Sequence, residues 1–274
     1  DFWAMVFNPS SVERIWHVWL GAFLAGEFLI LSVHAYYILR GRYVSISKKA
    51  FKITLIIATI TSLAQLVAGH ASAEVVAEHQ PAKLAALEGH YDESAAADMY
   101  LLGWVDQENQ EVTGLAIPGG LSFLLDQDFE APVTGLNAFP EDERPSQVNA
   151  VFQFYHLMVA IGMFLIALTL YASFLLWKRK LFTKKWLLWV FVFTALLPQI
   201  ANQVGWFSAE MGRQPWIVYG HLRTNEGFSQ EGSSNQILFS LILFLVVYTI
   251  LFLLFIYSVN KKIKHGPYDE AKNP

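Results

Sequence analysis

Five stretches of the chain stay predominantly apolar for about 20 residues, the length that carries an α-helix across a bilayer. The first runs from about Ile15 to Leu39, the second from about Phe51 to Ala68 and the third from about Val151 to Trp177. The fourth covers about Trp186 to Phe207 and the fifth about Ile237 to Val259. Between the second and third, from Ala71 to Asn149, the pattern breaks. Pro and Gly punctuate this segment (AIPGG, FPEDERP), with one apolar piece (LSFLL) and one helical signal in PAKLAALEGHY, where Pro opens a run of good helix formers. The expected architecture is an all-α integral membrane protein: five transmembrane helices with a long acidic outer loop between the second and third, folded as a small cap. It divides into two helices over residues 1–70, the loop over 71–149, and three helices with a basic tail over 150–274.

Charge orients the helices. Arg40, Arg42, Lys48 and Lys49 lie between the first two spans, and Lys178, Arg179, Lys180, Lys184 and Lys185 between the third and fourth. Lys261, Lys262 and Lys264 follow the fifth. All three clusters fall on one side, which the positive-inside rule makes cytoplasmic. The N-terminus, the long loop and the loop after the fourth span are then outside, and the C-terminus is cytoplasmic. The long loop holds 15 Asp and Glu against Lys83 and Arg144. Composition agrees with a membrane protein: 54% of residues are hydrophobic and only 15% charged. Cysteine is absent, which excludes disulfides and thiolate ligation. Nothing points to nucleic acid. The chain opens at Asp1, with neither Met nor a signal-peptide pattern, as expected for a split subunit or one part of a longer protein.

Ionisable groups inside such spans are expensive and face the protein interior. His17, Glu27, His34, His156 and Glu210 stand out, with Gln65 and Gln199 as milder cases. With this topology His17, His156, Met158 and Glu210 share the outer level. His and Met are common axial ligands of haem iron, and Trp16, Trp19, Phe152, Phe154 and Tyr155 are available to line an apolar slot. The bland alternatives stay open on the residues alone: an interfacial histidine, a gap-filling methionine, and a Glu210–Arg213 ion pair.

At GWFSAEMGRQPW the chain resembles the cytochrome bd quinol oxidases, specifically the C-terminal half of their subunit I. The signature GRQPW is intact as Gly212, Arg213, Gln214, Pro215 and Trp216. VFNPSSVERIWHVWLGAFLAGEFLILSVHAYYILRGR, QPAKLAALEGHY, FYHLMVAIGMF and KKWLLWVFVFTALLPQIANQVGWFSAE are similar to family blocks in the same order. The resemblance implies His17 and Met158 as axial ligands of low-spin haem b558, and Glu210 as a ligand in the high-spin pair, haem b595 and haem d. It implies Trp206 between haems, Arg213 beside a propionate, and Lys83 and Glu88 in quinol oxidation. At position 156 the family often has Arg; here His156 stands in that cofactor-facing place. The implied activity is oxidation of membrane quinol on the outer side with reduction of O2 to water, in a bacterial or archaeal cytoplasmic membrane. The implied partners are a second oxidase subunit and a chain or segment carrying further N-terminal helices. An alternative is a low-spin haem b subunit that relays quinol electrons without reducing O2. Glu27 is an expected proton-path residue, set against a plain buried hydrogen bond.

Overall fold

The computed structural model describes residues 1–227 and 234–267. It is mostly helical, and five helical segments are long and apolar enough to cross a membrane. A short α1 (Phe2–Val6) leads to α2 (Ser11–Leu39), which turns through Arg40–Tyr43 into α3 (Val44–His79). Next come α4 (Pro81–Glu88), β1 (Ser94–Ala95), β2 (Met99–Asp106), β3 (Glu111–Ile117), α5 (Gly120–Asp126) and β4 (Pro132–Val133). The third span is α6 (Val148–Trp177). The fourth is divided into α7 (Lys185–Phe193) and α8 (Leu197–Gly212), followed by the small β5 (Trp216–Val218) and β6 (Leu222–Arg223) and then by α9 (Ser234–His265).

The break in the fourth span has a local cause. Pro198 stands in the first turn of α8, and a proline nitrogen has no hydrogen to continue the helical ladder. A 3-10 turn at Thr194–Leu196 bridges the gap. Hydroxyls satisfy carbonyls around it: Ser32 on α2 donates to the Val192 carbonyl at 2.9 Å and Thr194 to that of Phe191 at 2.9 Å. Freed carbonyls need such partners where water is excluded.

α2 packs on α3 and α8, and α6 packs on the same two helices. α2 and α6 thus stand at opposite corners of a four-helix ring. The inner core is built from Phe28, Leu31, Phe51, Leu55, Leu165, Leu187 and Phe191, with the Phe51 and Phe191 rings edge to face at 5.0 Å. Ala35, Ala58 and Ala172, fully buried, let the helices approach closely. α9 stands apart. None of its residues is buried, and Tyr37 and Tyr43 hold its end by donating to the Ile263 and His265 carbonyls at 2.6 and 3.3 Å.

Two expectations are corrected. The second span does not end near Ala68; α3 continues to His79. Its extension, ASAEVVAEH, is rich in helix formers, and His70 and Glu74 meet at 3.4 Å one turn apart. Nor is the chain all-α: three two-stranded antiparallel pairs form among the described residues. The largest, β2–β3, closes through a turn in which the Asp106 carboxylate accepts from the Glu108 and Asn109 amides at 3.0 and 3.1 Å. α6 covers the free edge of β2. Gln153 donates to the Gly103 carbonyl at 2.7 Å, and Asn149 accepts from the Val105 amide at 3.1 Å. A covered edge is protected from pairing with other chains.

Candidate functional site

α4 starts with Pro81 in its first turn and ends at Gly89, whose φ of 65° is the left-handed closure that favours glycine. A Cβ there would come within 2.8 Å of Val112 Cγ2, so the end is also sterically closed. The helix is buried among α3, α6 and α8, and it takes both its charged side chains with it: Lys83 is 6% exposed and Glu88 3%. Burial is the first cause of both perturbed ionisations. It lowers Lys83 to about 8, helped by Arg14 and Arg213 and opposed by Glu210. It raises Glu88 to about 7, against the hydrogen bond from Tyr155. The two side chains diverge, as their five-residue spacing predicts. Lys83 turns to the end of α8, where a Cβ on Gly212 would lie 3.3 Å from Lys83 Cγ. Glu88 turns to Tyr155 of α6.

Lys83 therefore meets GRQPW. Lys83, Gly212, Arg213, Gln214, Trp216 and Glu143 border one narrow crevice. Two of its donors, Arg213 Nε and Trp216 Nε1, are buried without a hydrogen-bond partner, as is Glu88 Oε2 away on the Tyr155 side of α4. Arg213 is otherwise engaged. Its Nη2 pairs with Glu210 at 2.6 Å and its Nη1 donates to the Ile217 carbonyl at 3.2 Å. The Gln214 side chain accepts from the Thr224 hydroxyl at 2.6 Å, and Pro215 offers its carbonyl to the Thr224 amide at 2.8 Å. Arg223 lies over the Trp216 ring at 5.0 Å and pairs with Asp142 at 2.8 Å, tying this loop to the segment before α6. Glu210 itself is half-exposed, as is Trp206 one turn earlier on the same face of α8.

His17 and Met158 occupy the opposite corners of the ring, near the same end. His17 is the seventh residue of α2 and Met158 the eleventh of α6. Each lies against a glycine of the neighbouring helix. A Cβ on Gly69 of α3 would stand 3.6 Å from His17 Cε1, and one on Gly205 of α8 would press on Met158 Sδ at 2.6 Å. The Gln65 amide nitrogen sits 3.1 Å from His17 Nε2, while its buried oxygen has no partner. An imidazole and a thioether on diagonal helices, each beside a glycine of the neighbouring helix, are a donor set that fits the two axial positions of a haem iron.

Residues 1–267 match the family described as Cytochrome bd terminal oxidase subunit I. The chain belongs to this family. "Cytochrome bd ubiquinol oxidase subunit 1" of Bacillus subtilis (strain 168) is 31% identical over 276 residues, covering 97% of this chain and 59% of that protein. "Cytochrome bd-II ubiquinol oxidase subunit 1" of Escherichia coli (strain K12) is 26% identical over 333 residues, covering 97% of this chain and 65% of that protein. A solved bd oxidase from Geobacillus thermodenitrificans aligns with a TM-score of 0.86 at 33% identity, over 96% of this chain and 60% of that one. The chain thus spans about three fifths of these relatives' length.

Within this cytochrome bd subunit I fold, some expected site residues do not converge. Both ring nitrogens of His156 are taken by backbone carbonyls, Phe152 at 2.9 Å and Tyr100 at 2.7 Å. Its ring also stacks on Phe152 at 3.8 Å. In this arrangement the His156 ring ties α6 to β2. Trp16 and Trp19 are more than half exposed. Three partners escaped sequence reading. Tyr155 looked like an aromatic liner, and only the fold reveals that its hydroxyl serves Glu88. Gly69 and Gly205 carry no chemistry of their own; a search for small residues opposite each candidate ligand would have marked them.

Proposed function

We propose that this chain is the quinol-oxidising, haem-binding part of a cytochrome bd-type terminal oxidase in a bacterial cytoplasmic membrane. The meeting of buried α4 with the GRQPW end of α8 carries the reading. In its support, one buried helix carries an acid raised to about 7, Glu88, and a lysine lowered to about 8, Lys83, on different sides, near the end of the bundle shared by His17 and Met158. Membrane quinol binds at this junction. Glu88 Oε2, buried and unpartnered, accepts a proton from a quinol hydroxyl, and Lys83 orients the quinol oxygen while its charge favours deprotonation. His17 and Met158 hold haem b558, and Arg213 with Trp216 receives its propionates. That haem, when bound, supplies one-electron acceptance at a potential raised by thioether ligation. The long acidic loop, on the outer side, shelters the quinol. The half-exposed face of α8 with Trp206 and Glu210 meets haem b595 and haem d, the pair at which O2 is reduced. A second subunit and further N-terminal helices would cover that face, and Glu210, now paired with Arg213, would be the residue to hold a haem iron there.

Two substitutions in the assembled oxidase test this. Glu88→Gln should lower quinol oxidation about a hundredfold or more, within the range ascribed to a positioned proton acceptor, and leave the low-spin haem spectrum intact. His17→Ala should remove that spectrum. A fully active Glu88→Gln oxidase, or a low-spin spectrum that survives His17→Ala, would refute the corresponding role.

A further inference from the structure

α3 sets a hydrogen-bonding side chain into the apolar core at nearly every turn. At the end nearer the basic loops, Thr59 Oγ1 and Ser173 Oγ are 2.8 Å apart. Ser62 Oγ and Thr169 Oγ1 follow at 3.1 Å. Thr61 Oγ1 donates to Glu27 Oε1 at 2.9 Å, and Gln65 reaches the His17 ring. Glu27 is 8% exposed, and its Oε2 has no hydrogen-bond partner. A carboxyl that only stitched α2 to α3 would need one oxygen, and a hydroxyl or an amide would serve equally well. An ionisable side chain at this depth is costly, and where it persists it marks a path or a relay.

The packed elements bring no charge to it. α3 carries Lys48, Lys49 and Lys52 near one end and His70, Glu74, Glu78 and His79 near the other. α7 has only Lys185, at its first position, α8 only Glu210, near its last, and the Thr194–Leu196 turn has none. On α2 itself the titratable groups are Glu13, Arg14, His17, His34, Tyr36 and Tyr37. The nearest of these, His34, lies about two turns on, and His17 about 15 Å back along the axis.

We infer that Glu27 is a proton-loading site coupled to the low-spin haem at His17. This rests on the haem-ligand role proposed above for His17. When an electron reduces the iron from ferric to ferrous, one proton drawn from solvent bonds to Glu27 Oε2. The added negative charge is thereby compensated. When the electron leaves, the O–H bond breaks and the proton is released. No other bond changes.

The test is a redox titration of the low-spin haem in the whole oxidase at several pH values, with infrared difference spectra of the same samples. In the wild type the midpoint potential should fall as pH rises, and reduction should produce a protonated-carboxyl band. Glu27→Gln should flatten the slope and delete the band while the low-spin spectrum persists. An unchanged slope and band in Glu27→Gln would overturn the proposal. Thr61→Val keeps the carboxyl but removes its donor. It should shift the band, and an unshifted band would count against the Thr61–Glu27 pairing even if Glu27→Gln does not assemble. His17→Ala tests the ligand role separately: if the low-spin spectrum survives there, it is that role which fails.

Discussion

Glu88 and Lys83 show how burial turns ordinary residues into candidates for acid–base chemistry. A carboxylate on a solvated helix would be ionised throughout the physiological range; removed from water, Glu88 titrates at about 7. Below that value it already holds a proton and cannot accept one from quinol. Quinol oxidation should therefore rise with pH through about 7, and a pH–rate profile of Glu88→Gln should lack this rising limb. A fall is expected above about 8, where Lys83 loses its charge. The linkage to stability has the opposite sense. The folded-state value of Glu88 is above its unfolded value, so its contribution is complete at acid pH and is lost as pH rises through about 7. Thermal unfolding of Glu88→Gln at acid and neutral pH should show a smaller decline than the wild type. The residue types were readable from QPAKLAALEGHY, but their depth was not, because α4 has no polar face to announce burial on all sides.

At the scale of elements, the glycines beside the candidate ligands make opposite predictions. On Gly205 a methyl group would approach Met158 Sδ to 2.6 Å, far inside van der Waals contact. The thioether is the flexible part of a side chain and will move rather than unfold the bundle. Gly205→Ala should assemble normally but shift or weaken the low-spin haem spectrum. Gly69→Ala, with 3.6 Å to His17 Cε1, should leave it unchanged. If both spectra match the wild type, the thioether is not an iron ligand. The spans themselves were legible because a membrane helix advertises itself by length and by lack of charge. The β2–β3 hairpin was not. β2, MYLLGWVD, exposes Leu101, Leu102 and Trp104 together, so the alternation that marks a half-buried strand is missing. Its edge is held instead by Gln153, Asn149 and His156 of α6, long-range contacts that leave no local trace. The break between α7 and α8 was similarly hidden, since the hydropathy of the fourth span continues across Pro198.

For the whole molecule, the chain's orientation decides where any proton released from quinol goes. The basic residues after α2 and α6 and at the end of α9 lie at one end of the spans, and the α4–GRQPW junction at the other. If the basic end is cytoplasmic, protons accepted by Glu88 leave outside, and protons for O2 reduction drawn from the cytoplasm would make the reaction electrogenic without a pump. The absence of cysteine allows a clean test. Single cysteines at Ser45 and Thr183, both exposed beside the basic loops, and at Asn109, exposed in the hairpin turn, give three reporters. A membrane-impermeant thiol reagent applied to intact cells should label Asn109→Cys at once. It should reach Ser45→Cys and Thr183→Cys only after the membrane is opened. The two basic-loop reporters must behave alike, because α2–α3 and α6–α7 both turn at that end. The reverse labelling would invert the molecule and move quinol oxidation to the cytoplasmic face, where the released protons would no longer contribute to a gradient. Labelling that divides the two basic-loop reporters would instead deny that all five helices span.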